Sequence, residues 1–145
     1  MRQVSEKTAA RAAECREMRR ALVAQVGHCE LCGHDPRRPR LGKVCWALAC
    51  HEILNGALRQ KCLDKRHSLL CLCWWCNSNV VTDKKLWPEA RQLAALLKSR
   101  PQDYDLAAHN LLANPMAPQR VTQEEVDGFL TARSILSGST RERKD

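Results

Sequence analysis

Two Cys-x-x-Cys pairs, Cys29-Glu30-Leu31-Cys32 and Cys73-Trp74-Trp75-Cys76, constrain this chain more than any other feature of its sequence. Each pair sets two thiolates on one side of a tight bend, and two such bends supply the four corners that a tetrahedral Zn²⁺ requires. Gly33 closes the first pair, and the apolar run Leu69-Leu70-Cys71-Leu72 leads into the second. The interval between the pairs is far longer than the loop of a zinc ribbon, so something more than a short finger must be folded there. Cys29, Cys32, Cys73 and Cys76 are therefore expected to hold a structural zinc ion. Four buried cysteines packing as small hydrophobes are the alternative.

Such a staple suits the rest of the chain. Its 145 residues and 44% hydrophobic content are enough for one modest domain, but only 4% are aromatic, and the apolar residues between the cysteine pairs are few and dispersed. Nine cysteines are an odd number, and the chain begins polar rather than with a charged-then-apolar segment. This argues against secretion and a disulfide framework. Every apolar stretch is interrupted before it reaches bilayer length. The expectation is a soluble protein of the reducing cytoplasm with no membrane partner. Cys15, Cys45, Cys50, Cys62 and Cys71 are then free thiols, Cys71 being the closest competitor for a ligand position.

A formal net charge of +8 and a pI near 9.2 point to acidic partners, of which nucleic acid is the commonest. Basic residues concentrate at Arg37, Arg38, Arg40 and Lys43, and again at Arg59, Lys61, Lys65 and Arg66. Both clusters lie between the cysteine pairs, on either side of His51, which favours phosphate contact over a merely solvated surface.

Periodicity predicts a helix from Ser5 to Val26, with Cys15, Met18, Leu22 and Val26 on one stripe and Gly27 at its end. Val44, Trp46, Leu48 and Cys50 alternate as a half-buried strand would, and Leu69 to Leu72 is its expected antiparallel partner. The connection from Asn55 to Arg66 is a long hairpin loop or a short helix. A short helix from Trp74 to Val80 carries Cys76 and Asn77. Pro88 suits the first position of a helix running to Ser99 through Leu93, Leu96 and Leu97, and Pro101 opens another through Tyr104, Leu106 and Leu111. Thr122 and Glu125 form a capping-box pattern, with Val121 and Val126 spaced as a hydrophobic staple, for a last helix from Gln123 to about Leu136. The expected division is an N-terminal helix (1–27), a zinc-bound unit (28–86), a helical extension (87–137) and a flexible tail (138–145).

With a strand ending in His51, a returning Leu-x-Leu-Cys strand and a Cys-x-x-Cys followed by Asn77, residues Cys29 to Thr82 resemble the HNH, or ββα-metal, nuclease family in its four-cysteine form. Small phage-encoded members carry a similar His-Glu-Ile-x-x-x-Gly stretch; here His51-Glu52-Ile53 is followed by Gly56 after two residues, Leu54 and Asn55. The resemblance implies an α+β, mostly α fold in which a small zinc-bound ββα-metal unit is flanked by N- and C-terminal helices. It implies a metal-dependent DNA endonuclease or nickase, with His51 as general base and Asn77 holding a second divalent ion (Mg, Mn, Ni or Zn), and a bacterial host cytoplasm as the setting.

Two positions depart from the family pattern. Cys50 stands where an acidic residue or histidine usually joins the catalytic ion, and a thiol suits zinc better than Mg²⁺. The usual middle Asn falls near Ser68, so Glu52, His67 and Asp64 are the substitutes to be weighed. Elsewhere, His28 and His34 flank the first cysteine pair, His109 reads as structural, and Trp46, Trp74 and Trp75 divide between core packing and base stacking. The competing functions are a catalytically inactive zinc-containing nucleic-acid-binding module and a phage assembly or interaction factor. A homodimer, or a phage or host protein partner, is compatible with the helical extensions.

Overall fold

A computed structural model of the chain describes residues 5–38 and 46–131. It is mixed α and β, mostly helical, around one small antiparallel sheet. The first helix, α1 (Glu6–Val26), starts where the Ser5 side chain accepts from the Thr8 N–H and stops at Gly27, whose φ of 72° is left-handed. There the Gly27 N–H closes onto the Val23 carbonyl, which an L side chain would hinder. Cys15 and Leu22 are the buried members of the expected stripe, with Met18 and Val26 partly covered.

The sheet pairs β1 (Leu48–Glu52) with β2 (Leu69–Cys73). Its register sets Cys50 opposite Cys71, His51 opposite Leu70 and Glu52 opposite Leu69. Every residue of β2 is buried, because α1 covers one side of the hairpin and α2 and α3 the other. The expected first strand is shorter than its alternation suggested: Trp46 precedes it, and Val44 lies outside the described residues. The connection is neither pure loop nor α-helix but two short 3₁₀ segments, Gly56–Lys61 and Arg66–Ser68.

From β2 the chain passes directly into α2 (Trp74–Asn79), capped by the Cys73 Sγ, which accepts from the Cys76 N–H at 3.5 Å. Helix α3 (Glu89–Ser99) begins just after Pro88 and presents Leu93 and Leu96 to the core. Pro101 opens a turn rather than a helix. The next helix, α4 (Leu106–Ala113), waits for Asp105, whose side chain accepts from the Ala108 N–H. Helix α5 (Gln123–Thr131) realises the capping box, since Thr122 Oγ1 accepts from the Glu125 N–H and Glu125 Oε1 accepts from the Thr122 N–H. Val121 and Val126 are buried in one cluster, as the staple requires. The expected extension of this helix to Leu136 lies outside the described residues.

One buried ion pair ties the two halves together. Glu30, inside the first cysteine turn, accepts from the Cys71 N–H at 2.7 Å, and its own N–H donates to the Cys71 carbonyl at 2.8 Å. Arg100, just past α3, meets the same carboxylate at 2.9 Å and also reaches Asp103 at 2.8 Å. Burial disfavours the Arg100 charge, but Glu30 and Asp103 outweigh it and raise its pKa. Removing either partner would leave an uncompensated buried charge, at a cost of about 3–5 kcal/mol.

Candidate metal centre and histidine site

The two cysteine turns converge. Ligand atoms of Cys29, Cys32, Cys73 and Cys76 all lie within 4.8 Å of one another, and the Cys32 and Cys73 sulfurs are 3.7 Å apart. A tetrahedron of thiolates at the usual zinc–sulfur length has edges of roughly 3.8 Å, so the spacing is compatible with a metal ion such as zinc. Local backbone explains how the first turn reaches this shape. The Gly33 N–H donates to the Cys29 carbonyl, the Cys29 N–H donates to the His34 carbonyl, and Gly33 takes a left-handed φ of 78°.

The thiols are strongly interdependent. Hydrogen bonds from Cys32 and Cys76 pull the Cys29 thiol far below its ordinary pKa, while Cys29 pushes Cys32 up to about 11 and drives Cys76 higher still. Four such groups cannot all ionise beside one another unless a cation compensates them. The other cysteine and histidine candidates stay out of the cluster. Cys71 sits against Glu30 and is pushed up to about 12 by burial and that carboxylate. His28 bonds the Val26 carbonyl, and His34 Nε2 accepts from the Trp46 N–H.

His51 and Asn77 are brought together. The strand delivers His51 to the face opposite α1, α2 delivers Asn77 one residue after Cys76, and His51 Nδ1 lies 3.0 Å from Asn77 Oδ1. On the other edge of the ring, Nε2 lies 2.9 Å from Gln92 Oε1. Gln92 is 1% exposed, and its Nε2 donates to the Trp87 carbonyl at 3.1 Å. That bond turns the Gln92 oxygen toward His51, so Nε2 carries a proton. Burial lowers the His51 pKa, in line with the charge of Lys84 and against the hydrogen bond that the ring donates to Gln92. Burial favours the neutral ring, in which Nδ1 carries the lone pair and the Asn77 carboxamide turns its N–H toward it, whereas the contact to Asn77 Oδ1 is a hydrogen bond only when Nδ1 is protonated. A carboxamide can serve that nitrogen in both states, donating N–H to the lone pair and turning its oxygen to the protonated ring.

Cys50 is not part of this site. Alternation along β1 sends it to the opposite face, where it packs with Leu22 and Leu69 and its Sγ donates to the Arg19 carbonyl at 3.5 Å. The expectation that it helps hold a catalytic ion beside Asn77 is corrected accordingly. Glu52 shares that face. It pairs with Arg19 at 3.0 Å and Arg59 at 3.4 Å. Ser68 is buried between two rings, 2.8 Å from His67 Nδ1 and 2.7 Å from His109 Nδ1, so it anchors α4 to the hairpin and leaves His51 to Gln92. Asp64 pairs with Arg11 and Lys65. Asn77 is thus the one oxygen donor among these candidates at His51.

The basic residues divide. Arg66 is half-buried, pairs with Asp103 at 3.0 Å and bonds Gln25, which commits it to the ion network of Arg100. Arg37 pairs with Asp35 but stays exposed, and Arg59 and Lys65 pair with Glu52 and Asp64. Arg38 and Lys61 are exposed. Arg40 and Lys43 lie outside the described residues.

The sequence reading missed Gln92 and Arg19. Gln92 sits in α3 outside the resembling segment, and its one signal is a polar residue directly before the apolar run Leu93, Ala94, Ala95 and Leu96. Arg19 had none, since on an exposed-looking helix it reads as one charge among many. No known protein family matches this chain, and no curated protein or solved structure matches it either.

Proposed function

We propose that this chain is a nucleic-acid phosphodiesterase of the HNH, or ββα-metal, type, with DNA as substrate and zinc as the structural ion on Cys29, Cys32, Cys73 and Cys76. The observation that carries the reading is the 3.0 Å approach of His51 Nδ1 to Asn77, delivered by the end of β1 and by the helix that the second cysteine pair begins. His51 is the general base. Its Nε2 proton is held by Gln92, so Nδ1 is the nitrogen that takes a proton from an attacking water. Asn77 keeps the ring in place before and after that transfer.

Asn77 Oδ1 is a hard oxygen donor suited to a divalent ion, whereas Cys50 and Glu52 face away. An ion held there with a substrate phosphate would polarise the phosphorus and stabilise the leaving oxygen. Gln92 Oε1 is engaged by His51 Nε2, so among the described candidates Asn77 alone offers an oxygen to such an ion, and its affinity depends on the substrate. The net charge of +8 supports a polyanionic partner.

The test is cleavage of supercoiled plasmid by the zinc-loaded protein with Mg²⁺, Mn²⁺ or Ni²⁺, beside His51→Ala. Nicking by the parent, reduced about 10²- to 10⁴-fold in the variant, is the expected result. Equal nicking by both removes His51 from the mechanism. The second reading, a binding module without cleavage, is favoured by one observation: both carboxylate and thiol neighbours of His51 are engaged with Arg19. It predicts a salt-dependent mobility shift with no nicking at any metal.

A further inference from the structure

Three of the chain's four tryptophans share one patch. The Trp46 ring lies 4.9 Å from Trp74 with planes 30° apart, and 6.2 Å from Trp75 with planes 26° apart. Trp74 is 53% exposed and Trp75 50%, although indole is ordinarily drawn inside. The reason is local. Cys73 and Cys76 must turn inward to meet Cys29 and Cys32, and a helix as short as α2 cannot bury the residues between them as well.

The patch is also held still. Trp46 is half-buried against the main core, its N–H donates to His34 Nε2 at 3.1 Å, and the Trp74 N–H donates to the Ala47 carbonyl at 3.1 Å. Trp74 and Asn77 stand three residues apart on α2, the spacing of neighbours on a helix surface. Trp74 therefore shares a side of α2 with Asn77.

We propose that Trp74 and Trp75 form a stacking platform for unpaired nucleobases, so that the strand presented to His51 is single-stranded or locally unpaired. The proposal rests on the nucleic-acid reading above and narrows its substrate class. The exposed groups are flat π faces already ordered by stacking on Trp46, which is what a nucleobase needs and an aliphatic side chain does not. The charge of +8 favours a polyanion over an apolar peptide. A duplex keeps its bases stacked on one another and has no free face to offer.

The experiment titrates the full-length, zinc-loaded protein with oligo(dT) and with a blunt duplex of equal length, without added Mg²⁺, following tryptophan fluorescence and anisotropy. Oligo(dT) is expected to quench the fluorescence. Trp74→Ala with Trp75→Ala should weaken its binding about tenfold or more, while duplex affinity stays within about twofold. Trp74→Phe and Trp75→Phe, which keep an aromatic face and leave the cysteine turn undisturbed, should retain most of the oligo(dT) affinity. Equal losses on both ligands, no loss on oligo(dT), or loss of a self-associated species in sedimentation would overturn the platform. A parent that binds and nicks duplex but ignores oligo(dT) sinks the platform and spares the nuclease reading. Binding to neither ligand at low salt sinks both.

Discussion

The two faces of β1 do different work, although the residues concerned are consecutive. Cys50 and Glu52 point to α1, where Arg19 and an apolar cluster hold them, with Arg59 of the 3₁₀ segment Gly56–Lys61 also reaching Glu52. His51, between them, points the other way, to two carboxamides. One face is closed by charge pairing and packing, and the other keeps a ring nitrogen whose partner can change. A strand achieves this with three residues because its side-chain period is two, and a slip of one residue would exchange the faces entirely. The contrast teaches that neighbours of a candidate base in sequence are its poorest candidates for shared ligation on a flat strand.

The largest test of this division lies at the cysteine cluster, which fixes α2 and hence Asn77 against the strand. Cys76→Ser or Cys32→Ser should cost on the order of 5 kcal/mol or more, seen as protease sensitivity and loss of the melting transition. An unchanged melting temperature would remove the metal from the account. Next, Arg19→Met should destabilise by about 2–3 kcal/mol in urea melts, since Glu52 keeps only the exposed Arg59. Because it acts on the α1 face, the imidazole resonances of His51 should move little. A large shift there would show that the faces are coupled.

Cys50→Ala should cost about 1 kcal/mol for the lost packing and leave the metal dependence of any nicking untouched. A changed metal preference would return Cys50 to the site. The smallest effect is one of pH. Burial holds the folded pKa of His51 below the ordinary 6.5, so the folded protein takes up this proton later than the unfolded chain as pH falls. Its contribution is intact above 6.5 and declines from there toward the folded value. The acid limb of a pH–rate profile should lie below 6.5 in consequence, and a limb above it would contradict a buried neutral base.

Much of the frame was legible. The cysteine pairs, the end of α1 at Gly27 and the capping box of α5 are short-range patterns whose geometry follows from a few adjacent residues. The start of α4 was misplaced because Pro101 carries a helix-start signal, yet Asp105 supplies the side-chain cap. The second basic cluster is expected to contact phosphate as a whole, although its Arg66 is bound to Asp103 from a distant segment. The Glu30–Arg100 pair spans an even longer separation and left no local trace.

By itself the sequence determined that two cysteine bends can meet, that a strand carries His51, and that helices flank the unit, because dihedral preference, capping and thiolate spacing are local properties. Only the tertiary structure decided that α1 covers the Cys50 face, that Gln92 reaches His51, and that two tryptophans stay outside. Those outcomes depend on how separate elements dock, which is set by the summed burial and pairing of groups far apart in the chain rather than by any one segment's preference.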